Sequence, residues 1–114
     1  MLWNNVDVRD VARAHRLCAE STVAKNGSRY ILAASDRSGE LFTWQLQDRL
    51  RKLYPAVSEI GGELMENDKP KEATYDRPRS YCLLAKQELA LETHAIDDTL
   101  HATVDSYYAL GLLP

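Results

Sequence analysis

The residues able to do chemistry are few, and they are scattered. His15 and Cys18 stand three apart in one apolar helical pattern, so both fall on one helical face. Two side chains are too few to hold zinc, and no further Cys or His pattern completes a set of four. His94 and His101 are seven apart, but His94 is expected to precede the helix that carries His101. Asp97-Asp98 resembles a carboxylate pair, yet acidic residues opening a helix are accounted for by its dipole. Ser35 and Ser38 lack the flanking pattern of an activated nucleophile. Gly61-Gly62 lies in a turn-rich stretch without the spacing of a phosphate-binding loop. All of these are therefore expected to be structural: the chain holds no catalytic residue, no cofactor-binding residue and no metal ligand of its own.

The elements that would position a site are clearer. Trp3, Val6 and Val8 suit the end of a strand, which turns into a helix at Val6-Asp7-Val8-Arg9-Asp10-Val11-Ala12-Arg13-Ala14-His15. Asp7 is expected to cap that helix, and Asp10 to favour its first turn. Val8, Val11, Ala12, His15, Cys18 and Ala19 would form its buried face, opposite Arg9, Arg13, Arg16 and Glu20. After the turn Lys25-Asn26-Gly27-Ser28, the apolar run Arg29-Tyr30-Ile31-Leu32-Ala33-Ala34 reads as a strand buried on both faces. Ser38 is the expected cap, and Glu40 a first-turn residue, of a second helix. Phe42, Leu46, Leu50 and Leu53 form its stripe, and Tyr54-Pro55 stops it. Residues 56–81 are irregular, with a charged run from Glu66 to Glu72. Tyr81 to Leu91 has strong helix formers. A last helix opens at Asp97-Asp98, buries Ile96, Leu100, Val104 and Tyr107, and ends at Gly111 in a left-handed turn, with Leu112-Leu113 folding back as an apolar clasp.

With 114 residues, 45% hydrophobic and 27% charged, the chain has room for one domain at most. A net charge of −3 gives no reason to expect nucleic acid or an anionic membrane as partner. No basic leader or spanning apolar run is visible. Two cysteines in apolar helical contexts read as free thiols, which fits a cytoplasmic location.

Four segments in register carry a family resemblance. Val6-Asp7-Val8-Arg9-Asp10-Val11-Ala12-Arg13-Ala14-His15 is similar to the late strand-to-helix signature of the extended short-chain dehydrogenase/reductases, in the epimerase/dehydratase superfamily. Ser28-Arg29-Tyr30-Ile31-Leu32 resembles their "GRYI" strand, with Ser28 where glycine is usual. Glu40-Leu41, Leu50 and Tyr54-Pro55 resemble the following "EL…L…YP" helix. Ile96-Asp97-Asp98-Thr99-Leu100 through Gly111-Leu112-Leu113-Pro114 resembles the closing "LEETL…GLLP". The branch it resembles contains dihydroflavonol and cinnamoyl-CoA reductases. One departure is local: aligned on Glu88-Leu89, Leu83 and Leu84 replace a usual serine and lysine, and Ala90 replaces a glycine.

The resemblance implies an α/β fold, the C-terminal portion of a doubly wound Rossmann fold. Residues 1–34 would be a late strand–helix–strand, and residues 35–114 a mostly helical substrate lobe. It also implies a parent that transfers hydride between NAD(P) and a carbonyl or alcohol substrate. The family's glycine-rich cofactor loop is absent, and so is its tyrosine with a lysine four residues on. Tyr30, Tyr54, Tyr75, Tyr81, Tyr107 and Tyr108 all fail that spacing, and Tyr81 with Lys86 misses by one. Those parts would precede Met1, so the chain is expected to be a fragment without activity alone. The alternative is a non-enzymatic interaction module or a split-enzyme subunit docking on a separate Rossmann chain, with an exposed sheet edge at Trp3–Val8 open to self-association.

Overall fold

A computed structural model of the chain describes residues 2–34, 40–57 and 82–113. The order is β1 (Leu2–Asn4), α1 (Val8–Glu20), β2 (Glu40–Phe42), α2 (Thr43–Leu53), α3 (Leu83–Leu89) and α4 (Ile96–Ala109). This is an α/β arrangement in which β1 and β2 form a two-stranded antiparallel ribbon, Trp3 opposite Leu41. The Trp3 indole N–H donates to the Thr43 hydroxyl at 3.1 Å, tying the ribbon to the start of α2. The thinnest dimension is 18 Å, less than two helix diameters of about 10–12 Å each. Among the described residues no helix is long and apolar enough to cross a membrane.

Two packed pairs make up the body: α1 rests on α3, and α2 on α4. The first holds the core, where Ala14, Cys82, Ala85, Leu89 and Leu91 are buried and Leu17, Cys18, Tyr30 and Leu32 pack around them. Both cysteines are free thiols. The second pair is thinner. No residue of α2 is fully buried, and on α4 only Ile96 is.

The buried face of α1 is not the one its apolar spacing suggests. Val8 is 77% exposed, and Ala12, His15 and Ala19 are exposed as well. The inward stripe is Asp10, Ala14, Leu17 and Cys18, offsets 0, 4, 7 and 8. Asp10 can lie on it because its carboxylate finds donors there, which removes the usual penalty for burying a charge.

Three further expectations are corrected. Glu40 lies in β2 rather than a first helical turn, and α2 starts only after Phe42, whose N–H donates to the Gln45 side chain at 2.9 Å. Residues 29–34 belong to no strand among the described residues, and Ile31 is 69% exposed rather than buried on both faces. The clasp does not form either, for Leu112 is 66% exposed. Expectations for Ser35, Ser38, Gly61-Gly62, Tyr75 and Tyr81 lie outside the described residues.

Helix ends follow the expected chemistry more closely. α4 opens with Asp97 and Asp98 in its first turn and closes on Gly111 at φ +67°. There the Leu112 N–H donates to the Tyr107 carbonyl and the Gly111 N–H to the Tyr108 carbonyl, a Schellman pair. α3 ends differently. Ala90 takes the same left-handed conformation, φ +50° and ψ +35°, at the position where the resembling family has glycine. No glycine relieves this left-handed turn. A left-handed alanine costs about 1–2 kcal/mol, whereas glycine adds about 0.4–1 kcal/mol of unfolded-chain entropy. Relief wins, so Ala90→Gly should stabilise the chain by roughly 0.5–1 kcal/mol, read as a higher urea midpoint at unchanged slope. Gly111→Ala should lower it.

Candidate functional site

The polar centre of the molecule is the strand-to-helix junction itself. β1 is followed by residues 5–7, and Asp7 caps α1 at φ −70°, ψ 134°, accepting from the Arg9 N–H at 2.8 Å. The Arg9 side chain returns over the same carboxylate, with Nε at 2.9 Å from Oδ1 and Nη2 at 2.6 Å from Oδ2. Such a two-point guanidinium–carboxylate pair is stronger than a single ionic contact. A third donor comes from far along the chain: the Thr99 hydroxyl, in the first turns of α4, reaches Asp7 Oδ2 at 2.9 Å. The Arg9 side chain holds the Asp7 carboxyl well below the usual carboxylate range, against the opposing effect of burial, with the Arg9 N–H and the Thr99 hydroxyl adding to it.

One turn on, Asp10 is only 1% exposed. Its Oδ2 accepts the backbone N–H of His94 at 2.8 Å, and its Oδ1 lies 2.7 Å from His94 Nδ1. A carboxylate that binds both the main chain and the ring of one residue fixes that residue in position and orientation. His94 sits in the connection between α3 and α4, two residues before α4 begins. The first helix therefore grips the entrance of the last from both sides, through Asp7 on Thr99 and Asp10 on His94.

Three further long-range polar contacts end on α3 or α4. The Tyr30 hydroxyl donates to Glu88 Oε2 at 2.7 Å, and that carboxylate together with burial raises the tyrosine's pKa. The Tyr54 hydroxyl and His101 Nδ1 share a hydrogen bond at 2.8 Å, with the rings edge-on at 5.3 Å. Burial raises the Tyr54 pKa, helped by the nearby Asp105. Arg49 Nε lies 3.2 Å from Asp97 Oδ1.

Among the described residues, those first singled out for chemistry lie apart from one another or meet other partners. His15 Nδ1 contacts the Val11 carbonyl one turn back at 2.8 Å, while Cys18 packs on the core. His94 and His101 serve different joints, and Asp97 pairs with Arg49. Among the described residues no group of three or more His, Cys, Asp and Glu side chains could hold a metal ion. His94 bears a carboxylate on Nδ1, the half of an acid–base pair that orients an imidazole, but no activated nucleophile accompanies it in the contacts above.

A cavity of about 310 Å³ opens beside the junction, lined by Val6, Asp7, Val8, Arg9, Thr99, Ala102, Thr103 and Ser106. Its polar groups are engaged already. Arg9 is held on Asp7, the Thr103 hydroxyl donates to the Thr99 carbonyl at 2.7 Å, and the Ser106 hydroxyl to the Ala102 carbonyl at 2.7 Å. The described residues around this cavity offer no seat for a pyrophosphate. A pyrophosphate needs bare N–H groups at a helix N-terminus, and at this N-terminus the Asp7 carboxylate occupies that place.

Sequence reasoning found the Asp7 cap and missed the Asp10–His94 clamp. The signal was present but easily misassigned, because Asp10, Ala14, Leu17 and Cys18 share helical spacing that an acidic member seems to disqualify. Comparison with known proteins returns no matching family model, no matching curated protein and no matching solved structure.

Two outcomes follow for this site. Asp7 is depressed in the folded chain, so its contribution is full above the ordinary carboxylate value of about 4 and is lost as pH falls toward its folded value. Asp7→Asn should remove that acid-side loss and lower neutral-pH stability by about 1–2 kcal/mol, measured as urea midpoints from pH 7 down to pH 3. For the clamp, Asp10→Ala, His94→Ala and the double variant should show a coupling of roughly 1–3 kcal/mol. Additivity would mean that the clamp holds nothing.

Proposed function

We propose that this chain is the C-terminal segment, late Rossmann strand and helix plus substrate lobe, of an extended short-chain NAD(P)-dependent reductase whose cofactor-binding body lies outside these residues. The observation that carries the reading is how the resembling segments meet. The junction segment reaches α4 through Asp7–Thr99 and the residue preceding α4 through Asp10–His94, while the "GRYI" segment reaches Glu88 through Tyr30. The "YP" segment reaches the closing helix through Tyr54–His101. Two of the four stretches, the junction and the "YP" segment, are thus each bonded to a third, the closing helix, across as many as 92 residues of chain.

On this reading the chain's part is positional. Asp7, Arg9 and Asp10 hold the lobe in place, nucleotide binding and the proton-donating tyrosine belong to the cofactor-binding body, and the cytoplasm is the expected setting. The mismatch between Asp7 and a pyrophosphate agrees with that division. A non-catalytic interaction module remains the second reading, favoured by the apolar side chains left on the surface, among them Trp3, Ile31, Leu83 and Leu84.

The test is complementation. The chain is mixed with the cofactor-binding part of a dihydroflavonol-type reductase cut before its own strand-to-helix signature, and NADPH loss is followed over a panel of ketones and aldehydes. Neither piece alone should turn over, and the mixture should. Turnover by this chain alone, or a stable complex that stays inactive, would contradict the proposal.

A further inference from the structure

Helices α1 and α4 carry outward rows that are complements of each other. On α1 the row is Val8, Ala12, His15 and Ala19, all exposed, where a surface helix ordinarily carries polar side chains. Arg9, Arg13 and Arg16 stand along one side of it, spaced four and three, and all three are exposed as well. On α4 the outward row is Asp98, Ala102, Asp105 and Ala109, with Ala102 half-buried and the other three exposed. The inward side of α4 is a different one: Ile96 is buried there, and Asp97 and His101 meet Arg49 and Tyr54.

Spacing matches as well as charge. Arg9 and Arg16 are seven residues apart, and so are Asp98 and Asp105, which puts each pair about 10.5 Å apart along its helix. Ala12 and Ala19 repeat at the same interval, as do Ala102 and Ala109. Helices that meet along alanines close to the lower end of the usual separation of about 8–10 Å, which brings flanking charges within reach. The two rows also begin side by side in one molecule. Thr99 of α4 holds the Asp7 cap of α1, and the Arg9 pKa is raised chiefly by Asp7, with the charges of Asp10 and Asp98 adding to it.

We infer that the α1 and α4 rows form the interface between two copies of this chain, α1 of each crossing α4 of the other about a two-fold axis. The occupant follows from where the complementary charges lie. A basic row takes an acidic one, and this chain carries both, adjacent, so one two-fold operation satisfies both contacts at once. The chain also has the room. It extends 49 × 40 Å but is only 18 Å thick, and a standard interface takes about 800 Å² of each partner. A body thinner than two helices gains from a second copy the second layer that stable domains stack. The surface differs from the sheet edge expected at Trp3–Val8, since Val8 lies in α1 and Leu2–Asn4 pairs with Glu40–Phe42. The dimer is independent of the reductase reading.

Charge reversal in the full chain, followed by sedimentation equilibrium, tests this. The parent should sediment at twice its 12.9 kDa. Its dissociation constant should be about 1–100 μM and should rise several-fold as salt is added to screen exposed charges. Arg13→Glu with Arg16→Glu turns the α1 row acidic beside the acidic α4 row; Asp98→Lys with Asp105→Lys turns the α4 row basic beside the basic α1 row. Each double variant alone should be monomeric, and the two mixed should form a dimer with one copy of each. Urea unfolding checks that both are folded. Should a reversal fail to fold, the milder Arg16→Gln and Asp105→Asn read the same contact, each raising the dissociation constant by roughly two- to fivefold. A parent that stays monomeric at millimolar concentration, a reversed variant that still dimerises alone, or a mixture of folded variants that stays monomeric overturns the inference.

Discussion

A buried carboxylate at the first turn of a helix is the constraint on which the rest of this structure hangs. Asp10 is enclosed, so it must be paired or pay heavily for its charge. Its partners are the main chain and ring of His94, 84 residues away in sequence. Satisfying that one group decides which face of α1 turns inward, where the α3–α4 connection runs and where α4 begins. Asp7 acts in parallel through Thr99, and its bond to Arg9 keeps the carboxylate charged to low pH. Hydrophobic burial alone would not have fixed this. The core around Ala85 and Leu91 joins α1 to α3, while α4 buries only Ile96 fully.

What could be read in the sequence was local chemistry. The Asp7 cap, the acidic start of α4 and the Gly111 ending are decided by a few neighbouring residues, and each is in place. The end of α2 at Leu53 follows from Tyr54-Pro55 in the same way. What failed depended on distant partners. Periodicity counted apolar residues and so chose Val8, Ala12 and His15 for the buried face of α1, because nothing near Asp10 announces a histidine to receive it. The run at residues 29–34 has strand composition, but a strand needs a neighbour, and composition does not supply one. Hydrophobicity suggests a clasp at Leu112-Leu113, yet Leu112 stays 66% exposed.

The same split governs the functional reading. Three histidines, two free cysteines and an acidic pair offered the ingredients of a site, and folding parts the histidines: His15 bonds within α1, His94 meets Asp10 and His101 meets Tyr54, while both cysteines pack at the α1–α3 core. The strand-to-helix junction presents a carboxylate, Asp7, at its helix N-terminus. Function is therefore sought in what the chain holds, a clamped helical lobe, and in the apolar side chains it leaves exposed, among them Trp3, Leu83 and Leu84.

Native-state amide exchange on the Asp10→Asn variant tests the central claim most directly. Asparagine keeps the shape but loses the charge that receives both His94 donors. The account predicts that in the parent chain the first turns of α4 open together with α1, at one shared free energy. In the variant the α4 amides should exchange at least tenfold faster, while those of α3 hold. Unchanged protection of α4 in the variant would show that the buried carboxylate does not anchor the last helix, and would contradict the account.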